Sequence, residues 1–336
     1  MINENLLKKV DSNEMYKVYD KWPEIAREYY DADFAEIKFD EITHVVFAGM
    51  GGSGTIGDIF ASILSKTNIH VEVIKGYLLP KTVDSKSLII TTSVSGNTEE
   101  TLQVLKSASK IKCKIIAFSD GGKMQEFCKI KKINHRKITM IHSPRASFPA
   151  YLFAILRTLE SFLPIEKIDI INSLNELKNL RDNISSNNLS NVNSAINLAE
   201  SISEIPMIYY PWGLQAAAIR FKNSLQENTK IHAISEDVIE ACHNGIVSWS
   251  KFSDIKPILI RGKDDYIKTD ERWEILKEYF EKEGIDYREV FSLSGNILTK
   301  LINLIYLFDY ASIYKAISMK VDPTPVKAID FVKERL

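Results

Sequence analysis

Two short stretches carry residue types that grip an anion. VVFAGMGGSG, from Val45 to Gly54, runs four apolar residues into glycines, and Gly49, Gly51 and Gly54 fit the spacing G-x-G-x-x-G. Glycine lets backbone pass close to phosphate oxygens, while a following helix aims its free N–H groups at them. That spacing alone fits a dinucleotide or any other phosphate. SVSGNTEET, from Ser93 to Thr101, places Ser93, Ser95 and Thr98 on one turn, with Gly96 at the bend and Glu99-Glu100 opening a helix. Hydroxyls and backbone amides hold a phosphate dianion without lysine, and a compact set of them suits a terminal sugar phosphate. A dinucleotide site wants an acid at the end of its second strand. Here that strand, VEVIKG, ends in Lys75 and Gly76. The three hydroxyls also read as an ordinary capped turn; their place at a strand's carboxyl end, beside a glycine loop from another strand, favours the anion.

Acid/base chemistry on a bound phosphate ester takes groups that can give and accept a proton and a cation near developing negative charge. The chain offers Glu227 in QEN at the end of a helix, His243 in HNG, and Arg145 in PRASFP. Singly, each has a plainer reading: a solvated helix-end carboxylate, a core histidine beside Cys242, an arginine that caps a helix.

The elements that must position these residues alternate along the chain. Strand-like runs occupy 44–49, 70–75, 87–93, 114–120 and 137–142, with amphipathic stretches such as SGTIGDIFASILSK between them. After SFPAYLFAILRTLESFL, a polar segment keeps helical periodicity in INSLNELKNLRDNI and NVNSAINLAESI. Strands then resume at 207–213, 256–262 and 287–292, separated by helices through LQAAAIRFKNSLQENTK and DERWEILKEYFEKEG. Alternation of this kind implies crossover connections and parallel sheets with helices on both faces. The expected architecture is α/β: an N-terminal helical segment (1–34), one α/β domain (35–163), a helical connector (164–205) and a second α/β domain (206–336), the two domains stacked. The second half reads as a diverged copy of the first.

Composition narrows the function classes. With 43 basic and 44 acidic residues the chain has no electrostatic footprint for nucleic acid. Its densest basic run, KIKKINHRK (129–137), reads as a solvated loop. Cys113, Cys128 and Cys242 form no C-x-x-C pair and suit a reducing cytoplasm. MINENLLKKVDSNEM lacks a signal peptide's apolar core, and LINLIYLF stops at Asp309, short of a membrane span. A cytoplasmic protein without membrane partners is expected. The six histidines show no H-x-H or H-E-x-x-H spacing, so neither a catalytic metal nor another cofactor is expected.

GMGGSG together with SVSGNTEET resembles the sugar isomerase (SIS) fold, whose members bind phosphosugars. That resemblance implies two SIS domains, each a three-layer α/β/α unit, with Gly51, Gly52, Ser53, Ser93, Ser95 and Thr98 as the phosphate cradle. Over nearly its full length the chain resembles the bifunctional phosphoglucose/phosphomannose isomerases. The motifs that carry it are GMGGSG, SVSGNTEE, PRASFP, the ENTK…EACHN block and DPTPVKAIDFVKERL. By that resemblance Glu227 shuttles the proton, His243 opens the ring and Arg145 stabilises the enediolate. Lys333, or Lys327, supplies the C-terminal lysine and Thr324 lines the pocket. It further implies a hexose 6-phosphate substrate and a homodimer in which His243 reaches the neighbour's site. Thr229, beside Glu227, is expected to tune it through its hydroxyl. Other phosphosugar enzymes of this fold, an amino-sugar isomerase or deaminase, or a non-catalytic phosphosugar sensor, are the alternatives.

Overall fold

Buried apolar strands joined by amphipathic helices can hide both faces of a sheet only by crossover connections, and the chain does this twice. The computed structural model describes every residue except Met1, Ala35, Glu36, Lys38, Ser203, Glu204, Phe252 and Leu336. Residues 21–170 with 332–336 form one compact unit, and residues 1–20 with 171–331 form another. They are called the first and second sheet units below.

In chain order, α1 (Glu4–Val10), α2 (Met15–Asp20) and α3 (Trp22–Tyr30) precede β1 (His44–Ala48) and α4 (Gly52–Leu64). There follow β2 (His70–Ile74), β3 (Ser87–Thr92), α5 (Glu99–Ala108), β4 (Lys114–Ser119), α6 (Gly122–Lys131), β5 (Asn134–Lys137) and α7 (Phe148–Leu159). Helices α8 (Lys167–Ile184) and α9 (Ser194–Ser201) lead to β6 (Pro206–Tyr210), α10 (Gln215–Ser224), β7 (Ile234–Asp237) and α11 (Val238–Ala241). The chain continues through β8 (Lys256–Arg261), α12 (Ile267–Lys282), β9 (Arg288–Phe291), α13 (Ile297–Ser318) and α14 (Lys327–Lys333).

All strand pairs are parallel. The first sheet runs β2-β1-β3-β4-β5 and the second β7-β6-β8-β9, so both leave their first strand in one direction and then cross to its other side. In the first unit Val46 and Ile89 pack with Ala108, and Ala117 packs with Leu102, Leu105, Met124 and Cys128, beneath α5 and α6. Phe47, the next residue along β1, points the other way and stacks on Phe60 of α4 at 5.0 Å. In the second unit Tyr209 and Leu259 pack with Trp273, Leu276 and Phe280 of α12. Phe221 of α10 stacks on Phe308 of α13 at 4.4 Å. Each such fully buried ring contributes about 1.5–3 kcal/mol.

Three expectations change. The fifth strand is Asn134–Lys137, not 137–142, and it lies within the basic run read as a loop, whose earlier part closes α6. Strand β7, ISED, has one apolar residue, Ile234, and no apolar run to mark it as a strand. Both are edge strands with one neighbour, so they need no continuous apolar run to be held. The helix through LQAAAIRFKNSLQENTK is α-helical only to Ser224 and then widens into a π-helical turn, Leu225–Thr229.

Candidate active site

The order β2-β1-β3 makes the gap between β1 and β3 a switch point, where ligands of open parallel sheets sit at the strands' carboxyl ends. The loops leaving those two ends touch. A Cβ added to Gly49 would fall 3.0 Å from the Thr92 carbonyl oxygen and 2.8 Å from Ser53 Cβ. Gly51 turns the chain into α4 at φ +53 and is exposed. Ser53 lies in the first turn, its amide and that of Gly54 directed back to the Met50 carbonyl at 3.1 and 3.4 Å.

On the β3 side Ser93 is buried, and its Oγ lies 2.8 Å from Thr98 Oγ1. The Thr98 amide also points at Ser93 Oγ, 3.4 Å away. Ser95 is exposed and accepts from the Asn97 amide at 3.3 Å. Gly96, at φ +69, admits no side chain, because a Cβ there would come within 1.9 Å of the Gly121 carbonyl oxygen. Asn97 fixes the turn: its Nδ2 donates to the Ser95 carbonyl at 3.0 Å and its Oδ1 accepts from the Lys123 amide at 3.1 Å. The glycine loop and the hydroxyl turn are thus brought together.

Arg145 is only 6% exposed, in the turn that opens α7. Trp22 Nε1 donates to the neighbouring Ala146 carbonyl at 3.1 Å. One turn on, the Tyr151 hydroxyl donates to the Ile138 carbonyl at 2.7 Å, with the Val94 carbonyl at 3.3 Å, which ties α7 to the Ser93–Thr98 turn. Burial holds the Tyr151 hydroxyl far above its usual pKa, so it stays a donor. Lys75, which stands at the end of β2 where a dinucleotide site wants an acid, binds Asp58 at 2.6 Å.

In the second unit Glu227 projects from the π-helical turn, half-buried, with exposed Gln226 before it and buried Asn228 and Thr229 after it. Turns of this kind cost hydrogen-bond geometry and persist where their surroundings hold them. The support here is a buried polar network. Asp309, wholly buried in the apolar helix α13, receives Arg220 Nη2 at 2.6 Å, Ser224 Oγ at 2.6 Å and Tyr19 OH at 3.2 Å. Asn228 donates to Ser312 Oγ at 2.8 Å, and Ser312 donates to the Asp309 carbonyl at 2.7 Å. Burial works against the Arg220 cation, but Asp309 outweighs it and the guanidinium pKa is raised; the Glu227 carboxylate adds to that field.

Lys230 follows in the left-handed region, φ +63, and its Nζ donates to the Glu227 carbonyl and to the Pro323 carbonyl. This draws the DPTP loop, with half-buried Thr324, against the Glu227 turn. Thr229 does not reach toward Glu227 as expected. Its hydroxyl donates to the Leu225 carbonyl at 2.5 Å and serves the turn's own backbone.

His243 is exposed in the turn after α11, beyond the carboxyl end of β7. The Glu227 turn precedes β7, at the sheet's opposite end, so this unit does not bring the two side chains together. Lys327 and Lys333 open and close α14; both are exposed, on faces about 120° apart by helical geometry. Sequence reasoning missed Asp309, Arg220, Lys230, Asn97 and Tyr151. Only Asp309 carried a signal: a lone carboxylate amid LINLIYLFDYASIY must find a partner.

Residues 38–160 match the SIS domain family, and residues 191–336 match the family described as bacterial phospho-glucose isomerase C-terminal SIS domain. A bifunctional phosphoglucose/phosphomannose isomerase of Caldicellulosiruptor bescii is 32% identical over 89% of this chain and 91% of its own. A D-glucosamine-6-phosphate 4-epimerase of Sulfolobus acidocaldarius is 27% identical over 96% of this chain and 97% of its own. Among solved structures, a hypothetical protein of Thermus thermophilus superimposes with a TM-score of 0.70 at 14% identity, covering 98% of this chain and 91% of that one, which speaks to fold alone. The two joined loops, the two parallel sheets and a relative at this identity agree: the chain belongs to the bifunctional phosphoglucose/phosphomannose isomerase family.

Proposed function

We propose that the protein interconverts glucose 6-phosphate and mannose 6-phosphate with fructose 6-phosphate by proton transfer through a cis-enediolate. The observation that carries this reading is the close approach of the glycine loop, at Gly49, to Thr92 at the end of β3, from which the Ser93–Thr98 hydroxyl turn leaves, at the β1/β3 switch point. A monoester dianion held there by Gly51, Gly52, Ser53, Ser93, Ser95 and Thr98 anchors the hexose. His243, with Lys333, protonates the ring oxygen and opens the sugar. Glu227 takes the C2 proton of the aldose and returns it to C1, leaving the ketose. Arg145 offsets the negative charge on the enediolate. Glucose and mannose 6-phosphates differ at C2 alone, so one enediolate serves both. The separation of Glu227 and His243 within the second sheet unit favours a homodimer in which each subunit lends its His243 to the other's site. The expected compartment is the cytoplasm; among the described residues, no helix is long and apolar enough to cross a membrane.

The test is a coupled assay of purified protein with each aldose phosphate against fructose 6-phosphate, before and after exhaustive chelation. Activity on both that survives chelation is the expected result. The epimerase relative supplies a second reading, inversion at C4 of an amino-sugar phosphate. A galacto-configured product from glucosamine 6-phosphate, with no ketose formed from either aldose, would replace the isomerase reading by that one.

A further inference from the structure

At the amino ends of β1 and β2, opposite the glycine loop, three metal-ligating side chains gather. His44 opens β1 and pairs in register with His70, which opens β2, while Glu72 lies two residues on and so on the same face as His70. One ligand atom from each of the three lies within 4.8 Å of the others. His70 Nε2 and Glu72 Oε1 are already 3.4 Å apart, and the two imidazole rings lie 4.8 Å centroid to centroid.

His44 is 6% exposed, and its Nε2 is buried without a hydrogen-bond partner. A buried nitrogen in that state is costly unless something outside the chain meets it. The other side of the ring fixes which nitrogen carries the proton. Ser87 donates its hydroxyl to Asp84 Oδ1 at 3.1 Å, which leaves Ser87 Oγ to accept from His44 Nδ1–H at 3.4 Å. That leaves Nε2 unprotonated, with its lone pair free for a ligand from outside the chain. Metal-binding imidazoles are oriented in the same way, through a hydrogen bond from the other ring nitrogen to an outer acceptor, here the Ser87 hydroxyl that Asp84 holds.

We infer that His44, His70 and Glu72 form a structural site for a divalent transition metal of the zinc type, clipping β1 to β2 and leaving a position for water. Two imidazoles and a carboxylate are a donor set that zinc, cobalt and nickel accept. Ligand atoms around a tetrahedral ion stand roughly 3.3–3.5 Å apart, given bonds of about 2.0–2.1 Å. The longest gap therefore closes by about 1.3 Å through rotation of His70 and Glu72, whose side chains are 63% and 32% exposed. Strand β1, five residues long, separates this site from the glycine loop by roughly 15 Å, so the ion has no part in proton transfer. Linear spacing hides the site, because its members come from two strands.

The test titrates the purified, chelator-treated full chain with Co²⁺, read by visible absorption, and with Zn²⁺, read by competition with a chromophoric chelator. One equivalent should bind, with cobalt bands of tetrahedral intensity. His70→Ala, a change on an exposed side chain that leaves folding intact, should weaken binding on the order of 100-fold. Ser87→Ala should weaken it about 10-fold through loss of the outer hydrogen bond. Substitution of the remote His243 should leave it unchanged. Absence of stoichiometric uptake by the wild-type chain, or uptake that His70→Ala leaves intact, would overturn the assignment.

Discussion

The loops that leave β1 and β6 start from equivalent strands of two sheets wired alike, yet they are built for different work. After β1 the chain offers glycines, and after β3 it offers Ser93 and Thr98, a neutral donor surface that welcomes a dianion. After β6 it offers Pro211, Trp212 and Gly213, with Trp212 78% exposed. After β8 it offers Asp264 and Asp265, and Asp265 Oδ2 accepts from the Gly262 amide at 3.0 Å. A carboxylate has taken the amide that an anion would want. The second unit instead concentrates its polar residues between α10 and α13, where they hold the Glu227 turn. Duplicated topology supplies two equal switch points, and side-chain chemistry sets them apart: in the proposed mechanism one binds phosphate while the other unit presents a base.

That contrast can be broken at either end. The largest effect should come from Glu227→Gln, which is expected to lower kcat on the order of 10³-fold while hexose phosphate still binds. Proton exchange at C2, followed in deuterated water, reads this directly; exchange at the wild-type rate would remove Glu227 from its role. Next, Asp309→Asn leaves the Arg220 charge buried without its counter-ion and should cost about 3 kcal/mol of stability, measured by denaturant unfolding. An unchanged unfolding midpoint would mean that the network does not hold the π-helical turn.

In the first unit, Gly96→Ala meets both a positive φ and the Gly121 carbonyl, so a loss of about 2 kcal/mol is expected together with a raised KM. Ser93→Ala is milder. It removes one hydrogen bond to a charged ligand, about 1.5 kcal/mol, and should raise KM for both aldose phosphates roughly 10-fold with kcat little altered. The smallest effect sharpens the comparison. Asp265→Asn in the second unit should leave KM within about 2-fold, because that loop makes no phosphate contact in this reading. A large KM change there would show that the two switch points are not divided as described.

The sequence by itself determined the central strands, because β1, β3, β6 and β8 are buried on both faces along most of their length and each carries an unbroken apolar run of at least three residues. It also determined where backbone is special, since φ +53 at Gly51 and φ +69 at Gly96 leave little choice of residue. What tertiary structure alone decided lies at edges and between distant segments. Strands β5 and β7, one neighbour each and polar, exist because an adjacent strand has free backbone groups to satisfy. The π-helical turn at Glu227 exists because Asp309, eighty-odd residues later, accepts from Arg220 and Ser224. Hydrophobic pattern is a local quantity and can be read along the chain. A hydrogen bond across such a separation is settled only once the chain has closed upon itself.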